Sequence, residues 1–307
     1  MEFLIVGPGA IGCLFGASLS NGGYRVTLLD HNKKRAEEIN RHGIDVQGVS
    51  GDYRVKVPVI TDLKDTKADI ILICVKSSNT ADAAEAIKTA LKDDTLIITL
   101  QNGIGNIETL KGILGDHRII GGITSEGATS LGAGKIRHAG RGSTVLGPRQ
   151  KSGDAFEKTI EALNKSGFST GSTDNINDLI WGKLIINVGI NALTAITGLK
   201  NGELPRFEGT LDIMKEAVDE AVKVSKAKKV NLPFDDPLKK VLEVCENTSD
   251  NIASMLQDVL NKRITEIDYI NGAICREGEI SGIPTPVNLT LTRIIKTIES
   301  GYERRLL

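Results

Sequence analysis

A six-residue turn constrains this chain more than anything else in it. Gly7-Pro8-Gly9-Ala10-Ile11-Gly12 follows directly on the apolar run Phe3-Leu4-Ile5-Val6 and leads into a helical stretch near 11–21. Each glycine answers a separate physical demand. Gly7 makes the tight turn, Gly9 lets the backbone come up against a pyrophosphate, and Gly12 lets the helix pack closely on the strand. The helix N-terminus then offers its N–H groups and the positive end of its dipole to the phosphates. A lone glycine string of this kind also occurs in ordinary turns. Here the strand before it, the helix after it and a second strand at 25–30 ending in Asp30 complete the dinucleotide-binding pattern. The backbone of Gly7 to Gly12 is therefore the candidate cofactor cradle.

The rest of the first half continues in the same style. Strands are expected at 70–75, 96–100 and 118–123, with further glycine-rich strands near 134–138 and 144–147 that extend the sheet as a hairpin. Helices are expected over 33–41 and 80–91. The strands are apolar without alternation, which belongs to a parallel sheet covered on both faces. From about Asp174 the pattern turns helical, with helices over 177–196, 210–228, 236–246, 251–279 and 286–302. The expected fold class is α/β, a Rossmann-type doubly wound sheet domain over 1–174 followed by an all-α domain over 175–307. A cleft between two such domains is the default place for a substrate.

Composition narrows the classes. Lys plus Arg number 38 against 39 Asp plus Glu, so no basic surplus exists to hold a phosphate backbone, and aromatics are only 4%. Both weigh against nucleic acid as a partner. Four cysteines at 13, 74, 245 and 275 include no Cys-x-x-Cys pair, and the four histidines form no cluster, so no metal site is expected. Cys74, in an apolar run, reads as a buried thiol. No wholly apolar run approaches the ~20 residues that span a bilayer, and no basic, cleavable leader opens the chain. The expectation is a cytoplasmic protein that needs no membrane. The apolar stretches of the helical half are compatible with a homodimer.

Which dinucleotide is bound turns on Asp30. An acid at the end of the second strand, 23 residues after Gly7, hydrogen-bonds ribose hydroxyls and repels a 2′-phosphate, which favours NAD. Lys33, Lys34 and Arg35 follow at once and offer charge for a 2′-phosphate. They also read as a solvated helix face partnered by Glu37 and Glu38. Two further loops follow strand ends, where ligands sit in such sheets: Val75-Lys76-Ser77, with Lys76 suited to phosphate or ribose, and Gln101-Asn102-Gly103, with Asn102 able to bridge nicotinamide and substrate. Each also reads as a plain strand-ending turn.

In the helical half, Lys183, Asn187 and Asn191 recur at i, i+4, i+8 among Leu184, Ile185, Ile186, Val188 and Ile190. They share one stripe of an otherwise apolar helix. A lysine and two amides there carry a desolvation penalty unless they meet partners or a ligand. The bland reading is a hydrogen-bonded polar seam; the functional one is a proton donor with amides that hold substrate oxygens. Ser254 and Glu266, on the expected helix 251–279, lie twelve residues or about 18 Å apart. Spacing alone does not single out Glu266.

Taken together, Gly7–Gly12, Val75-Lys76, Gln101-Asn102-Gly103, Lys183-Leu184-x-x-Asn187-x-x-x-Asn191, Asn201-Gly202-Glu203-Leu204, Ser254-Met255-Leu256-Gln257-Asp258 and Glu266-Ile267-Asp268-Tyr269-Ile270-Asn271-Gly272 resemble the ketopantoate reductase (2-dehydropantoate 2-reductase) family over nearly the whole chain. The resemblance implies NAD(P)H-dependent reduction of the C2 ketone of 2-dehydropantoate to (R)-pantoate, on the way to pantothenate and coenzyme A. It implies Lys183 as general acid, with Glu266 near the nicotinamide end tuning it. Asn102, Asn187, Asn191, Asn201 and Ser254 would line the substrate site, and Lys76, Asn102 and Ala128 would contact cofactor. Members using NADPH often carry an arginine where Asp30 stands, so NADPH is the family default and NADH is open here. Two rivals remain from the residues themselves. A β-hydroxyacid dehydrogenase shares the Lys-x-x-x-Asn pair but has a glycine pattern before its lysine, whereas Leu179-Ile180-Trp181 precedes Gly182. A non-catalytic NAD(P)-sensing protein would have no use for the Lys183 stripe.

Overall fold

The computed structural model describes residues 1–64, 66–115, 118–148 and 153–304. The chain divides into two compact units: Met1–Gln101 with Asn106–Ile176, and Asn102–Gly105 with Asn177–Leu307. The four residues Asn102–Gly105 thus group with the helical unit, although the chain around them belongs to the sheet.

The first unit is built on an eight-stranded sheet. Its strands, in sheet order, are β12 (Ser169–Ser172), β11 (Ser143–Gly147), β8 (Arg118–Thr124), β7 (Leu96–Thr99), β6 (Ile70–Ile73), β1 (Glu2–Val6), β2 (Arg25–Leu29) and β5 (Val59–Ile60). All neighbours run parallel except β11 against β8. The unbroken apolar runs have a simple cause. Phe3, Ile5, Ile70, Leu72, Leu96 and Ile98 enter the core on one face, while Leu4, Val6, Ile71, Ile73 and Ile97 enter the core on the other. A strand buried on both faces has no polar side to present.

The hairpin expected at 134–147 is divided between two sheets. Only β11 extends the main sheet. The glycine-rich β9 (Gly127–Gly132) and β10 (Lys135–Gly140) pair with β3 (Ile44–Gly48) and β4 (Tyr53–Val55) in a separate four-stranded sheet ordered β4-β3-β10-β9. That sheet lies over α1 (Ala10–Asn21), where Ile44, Val46 and Ile136 join Leu14 and Phe15 in one core.

The helical unit contains α6 (Ile176–Thr197), α7 (Glu208–Ala227), α8 (Pro237–Asn247), α9 (Ser254–Leu260), α10 (Asn271–Ser281) and α11 (Pro286–Ser300). α6 is its core helix. By length and composition it would pass as a membrane span, yet most of it is buried inside the protein. Gly182 and Gly189 let neighbours close on it: a Cβ at Gly182 would lie 2.7 Å from Pro233, and one at Gly189 2.8 Å from Val241. Glu220 of α7, nearly buried, accepts from the backbone N–H of Val287 (2.9 Å) and Asn288 (3.0 Å), capping α11 across 67 residues of chain.

The single helix expected over 251–279 does not exist. α9 ends at Leu260, Lys262 takes a left-handed φ of 52°, and Arg263 N–H closes onto Asp258 C=O at 2.9 Å. An open stretch and a 3-10 turn at Ile267–Tyr269 follow before α10 begins. Ser254 and Glu266 therefore stand on separate elements, and a spacing reckoned along one helix does not apply.

Candidate active site

In the sheet unit the glycine turn has the geometry its sequence demands. Gly7 adopts φ +96°, and a Cβ there would lie 2.6 Å from Val75 and 2.8 Å from its backbone nitrogen. Gly12 sits so tightly under the turn that a Cβ would collide with the Gly7 carbonyl, so only glycine lets α1 start there. Gly9 has open space where its Cβ would be, and no side chain caps α1. An open backbone face at an uncapped helix N-terminus fits a pyrophosphate. Gly7 N–H donates to Leu29 C=O (3.1 Å) and Cys74 N–H to Val6 C=O (2.8 Å), which anchors the turn at the ends of β2 and β6. The chain reverses its direction of travel across the sheet between these strands, the switch point at which such sheets bind ligands.

Asp30, just past β2, is only 1% exposed. Its carboxylate accepts two hydrogen bonds from Arg35, Nε at 2.5 Å and Nη2 at 2.7 Å, and a third from Asn32 N–H at 2.9 Å. The carboxylate in turn holds the Arg35 guanidinium above its ordinary pKa. This corrects the reading of Arg35 as one of three solvated cations paired with Glu37 and Glu38. Lys33 and Lys34 are exposed, but Arg35 covers the acid.

Lys76 is half-buried and opens the 3-10 turn Ser77–Asn79. Ala128 lies on β9 opposite His138 of β10, whose Nε2 is 2.7 Å from the buried Glu126 carboxylate. Cys13 and Cys74 flank the glycine turn, and burial pushes both thiols up to about 12, so both stay protonated at neutral pH. Cys74 itself lies just beyond β6 and is only partly covered.

In the helical unit, Lys183, Asn187 and Asn191 fall on one side of α6, roughly 150° round the helix from Gly182 and Gly189 on ideal geometry. The helix packs through its glycines and keeps its polar stripe for other work. Asn191 is 5% exposed, while Lys183 and Asn187 are half-buried. Burial brings the Lys183 ammonium down from 10.5 to about 8, against the pull of the Glu266 charge, which raises it. Glu266, which spacing alone does not single out and the family resemblance does, has Asn102 as its neighbour in space: Asn102 Nδ2 donates to Glu266 Oε2 at 3.0 Å. That bond has a backbone cause. Gly103, at φ +79°, brings its Cα so close to the Tyr269 carbonyl that a Cβ would clash with it, and Ile104 N–H donates to the same carbonyl at 3.2 Å. The Asn102–Gly105 turn is thus seated on the Glu266–Tyr269 turn.

Asn201 heads the 3-10 turn Asn201–Arg206 and is 7% exposed. Its Nδ2 donates to Thr248 Oγ1 at 2.8 Å, and its Oδ1 meets no hydrogen-bond partner among the described residues. Thr248 was not foreseen: nothing in its spacing marks it. Ser254 is exposed at the first residue of α9. Among the described residues no group of three or more His, Cys, Asp and Glu is placed to hold a metal ion.

An ammonium of lowered pKa, a carboxylate facing it and amides on the same stripe form a set able to donate a proton and hold oxygens. Known proteins carry the same arrangement of chain. The family profile "Ketopantoate reductase PanE/ApbA" matches residues 3–151 and "Ketopantoate reductase PanE/ApbA C terminal" matches 175–299. A 2-dehydropantoate 2-reductase of Pyrococcus horikoshii is 36% identical over 302 residues, 98% of each chain. The crystal structure of a PanE/ApbA family ketopantoate reductase from Ralstonia eutropha superposes with a TM-score of 0.92 at 33% identity, covering 99% of this chain and 100% of that one. A D-mandelate dehydrogenase in ternary complex with NADH and anilino(oxo)acetate superposes at 0.90 with 29% identity and the same coverage. The sheet unit, the helical unit and these matches along almost the whole length make the chain a member of the ketopantoate reductase family.

Proposed function

We propose that the protein is a 2-dehydropantoate 2-reductase that reduces the C2 ketone of 2-dehydropantoate to (R)-pantoate, with residues 1–174 binding the dinucleotide and 175–307 the keto acid. The observation that carries this reading is Lys183: an ammonium of pKa about 8 on a core helix, opposed by Glu266 and aligned with two amides. Hydride for the keto carbon would come from a reduced nicotinamide held by the glycine turn when the cofactor is bound. Charge then develops on the former ketone oxygen, and Lys183, still protonated at pH 7, donates a proton to it. Glu266 keeps Lys183 charged until that moment, and Asn102 holds Glu266 in place. Asn187 and Asn191 supply amide contacts along the same stripe, and Ser254 and Asn201 take the ends of the substrate. Gly7 to Gly12, Lys76, Asn102 and Ala128 hold the cofactor.

NADH is the better match of the two cofactors. A 2′-phosphate arriving at the end of β2 has to compete for Arg35 with a carboxylate that already holds it through two hydrogen bonds, while Asp30 itself repels the phosphate. The family resemblance and the NADH carried by the D-mandelate dehydrogenase neighbour support a nicotinamide cofactor. The cysteines are all unpaired, which suits a reducing cytoplasm.

The test is loss of reduced-nicotinamide absorbance with 2-dehydropantoate, run in parallel with NADH and NADPH. Rapid oxidation, faster with NADH, is expected. Oxidation with an aryl 2-keto acid but none with 2-dehydropantoate would move the chain to the substrate class of its D-mandelate neighbour. A faster rate with NADPH would overturn the assignment made from Asp30 and Arg35.

A further inference from the structure

The inward stripe of α11 carries a residue foreign to a core. Asn288, Leu291, Ile295 and Glu299 recur at helical spacing and are all buried, Glu299 at 8% exposure. An aliphatic side chain would fill the last position without taking a carboxyl group out of water. What Glu299 meets there is Thr265. Its Oε1 accepts from both the N–H and the hydroxyl of Thr265, each at 2.7 Å. Thr265 is 3% exposed and immediately precedes Glu266. A hydroxyl has one proton to give. With that proton committed to Glu299, Thr265 Oγ1 meets the N–H of Ile267 as an acceptor, at 3.2 Å. Tyr269 N–H donates to the Glu266 carbonyl at 3.0 Å. The residues on both sides of Glu266 and its own carbonyl are thus tied, while Asn102 holds its carboxylate. The same turn is gripped at Asp268, by Lys296 Nζ on the carboxylate (3.0 Å) and by Arg276 Nη1 on the carbonyl (2.7 Å). Lys296 also stands 3.2 Å from Glu299 Oε2.

We propose that Glu299 is a positioning residue for the reaction: through Thr265 it fixes the backbone that carries Glu266, and so sets where the Glu266 charge stands relative to Lys183. The inference rests on the reductase reading above, in which Lys183 is the proton donor. Glu266 is the charge that raises the Lys183 ammonium against its burial. A carboxylate acts on an ammonium through distance, and the attraction weakens as the two separate. Slack in the backbone at Glu266 becomes slack at its carboxylate, which the Thr265 tie prevents. Glu299 acts through its two hydrogen bonds rather than its own charge, because burial and Glu266 are what move Lys183.

The experiment follows the Lys183 ammonium itself, by NMR titration of the lysine Cε signals in the full chain carrying isotope-labelled lysine. The Lys183 signal is assigned by its absence in Lys183→Met. The wild type is expected to titrate at about 8. Glu299→Ala and Thr265→Val cut the tie and are expected to lower this midpoint by about half a unit, part of the shift that follows loss of the Glu266 charge. The alkaline limb of keto acid reduction is expected to move with it. Glu299→Gln keeps the accepting oxygen and Thr265→Ser the hydroxyl, so both are expected to leave the midpoint in place. In a Glu266→Gln background none of the four changes should move it. A midpoint unmoved in Thr265→Val and Glu299→Ala, with stability alone reduced, overturns the inference, because Glu299 then has a purely structural role. A shift that persists without the Glu266 charge overturns it as well. Thr265→Val keeps the side-chain volume, so it carries the test if loss of Glu299 unfolds the chain. The titration needs no turnover, which separates this failure from that of the reductase reading. A chain that reduces no keto acid yet shows these midpoints upholds the tie between Glu299 and Glu266 and sinks the reductase. An active reductase whose midpoint stays fixed sinks the tie alone.

Discussion

Replacing Lys183 by methionine should abolish catalysis and stabilise the protein at the same time. The lysine ammonium has a pKa of 10.5 in an unfolded chain and about 8 in the folded one. Each unit is worth about 1.4 kcal/mol, so the fold disfavours the charged form by about 3 kcal/mol, reduced toward about 1 kcal/mol by the water that reaches a half-buried side chain. The pH dependence has a definite sign. Below pH 8 the lysine is charged in both states and the whole penalty falls on the folded one. Between 8 and 10.5 the unfolded chain still holds a proton that the folded chain has released, so wild-type stability rises with pH and the penalty fades. Methionine, of similar length and no charge, escapes the penalty throughout. Urea unfolding without ligand should therefore find Lys183→Met more stable than wild type by about 1–3 kcal/mol at pH 7, with the difference shrinking toward nothing at pH 10. Keto acid reduction should fall by about 10²- to 10⁴-fold. A variant no more stable than wild type at pH 7, or a gain that does not change with pH, would refute the view of Lys183 as a charge held against its solvation.

Three other substitutions test neighbouring parts of the argument. Glu266→Gln keeps an acceptor for Asn102 but removes the charge that raises Lys183, so the alkaline limb of the rate profile should move below pH 8 by on the order of one unit; an unmoved limb would mean that Glu266 does not act through Lys183. Gly103→Ala combines an unfavourable φ of +79° with a clash against the Tyr269 carbonyl. It should unseat the Asn102 turn and cost about 2 kcal/mol or more in transition-state stabilisation, read from kcat/KM. Glu220→Ala leaves the N–H groups of Val287 and Asn288 without their acceptor, and should lower unfolding free energy by about 2–4 kcal/mol, read in urea, with the nucleotide affinity of the sheet unit unchanged.

What was legible in the sequence and what was not divides along a physical line. The glycine turn was legible because each glycine meets a demand that no other residue meets, and the demand lies within a dozen residues of chain. Lys183 was legible because a charge on an apolar helix is an anomaly wherever the helix goes. Glu266 was legible only through the family resemblance: by spacing, an acid in Thr265-Glu266-Ile267-Asp268 is unremarkable until Asn102, 164 residues away, is laid against it. The same holds at shorter range. Asp30 and Arg35 are five residues apart, yet pairing counted along a helix cannot join them, because one precedes the helix cap and the other follows it. The break between α9 and α10 leaves no mark in the sequence because it is made by a lysine in a left-handed turn, where neither proline nor glycine announces a stop. Local necessity is thus written residue by residue, whereas the tuning of a site resides in pairs.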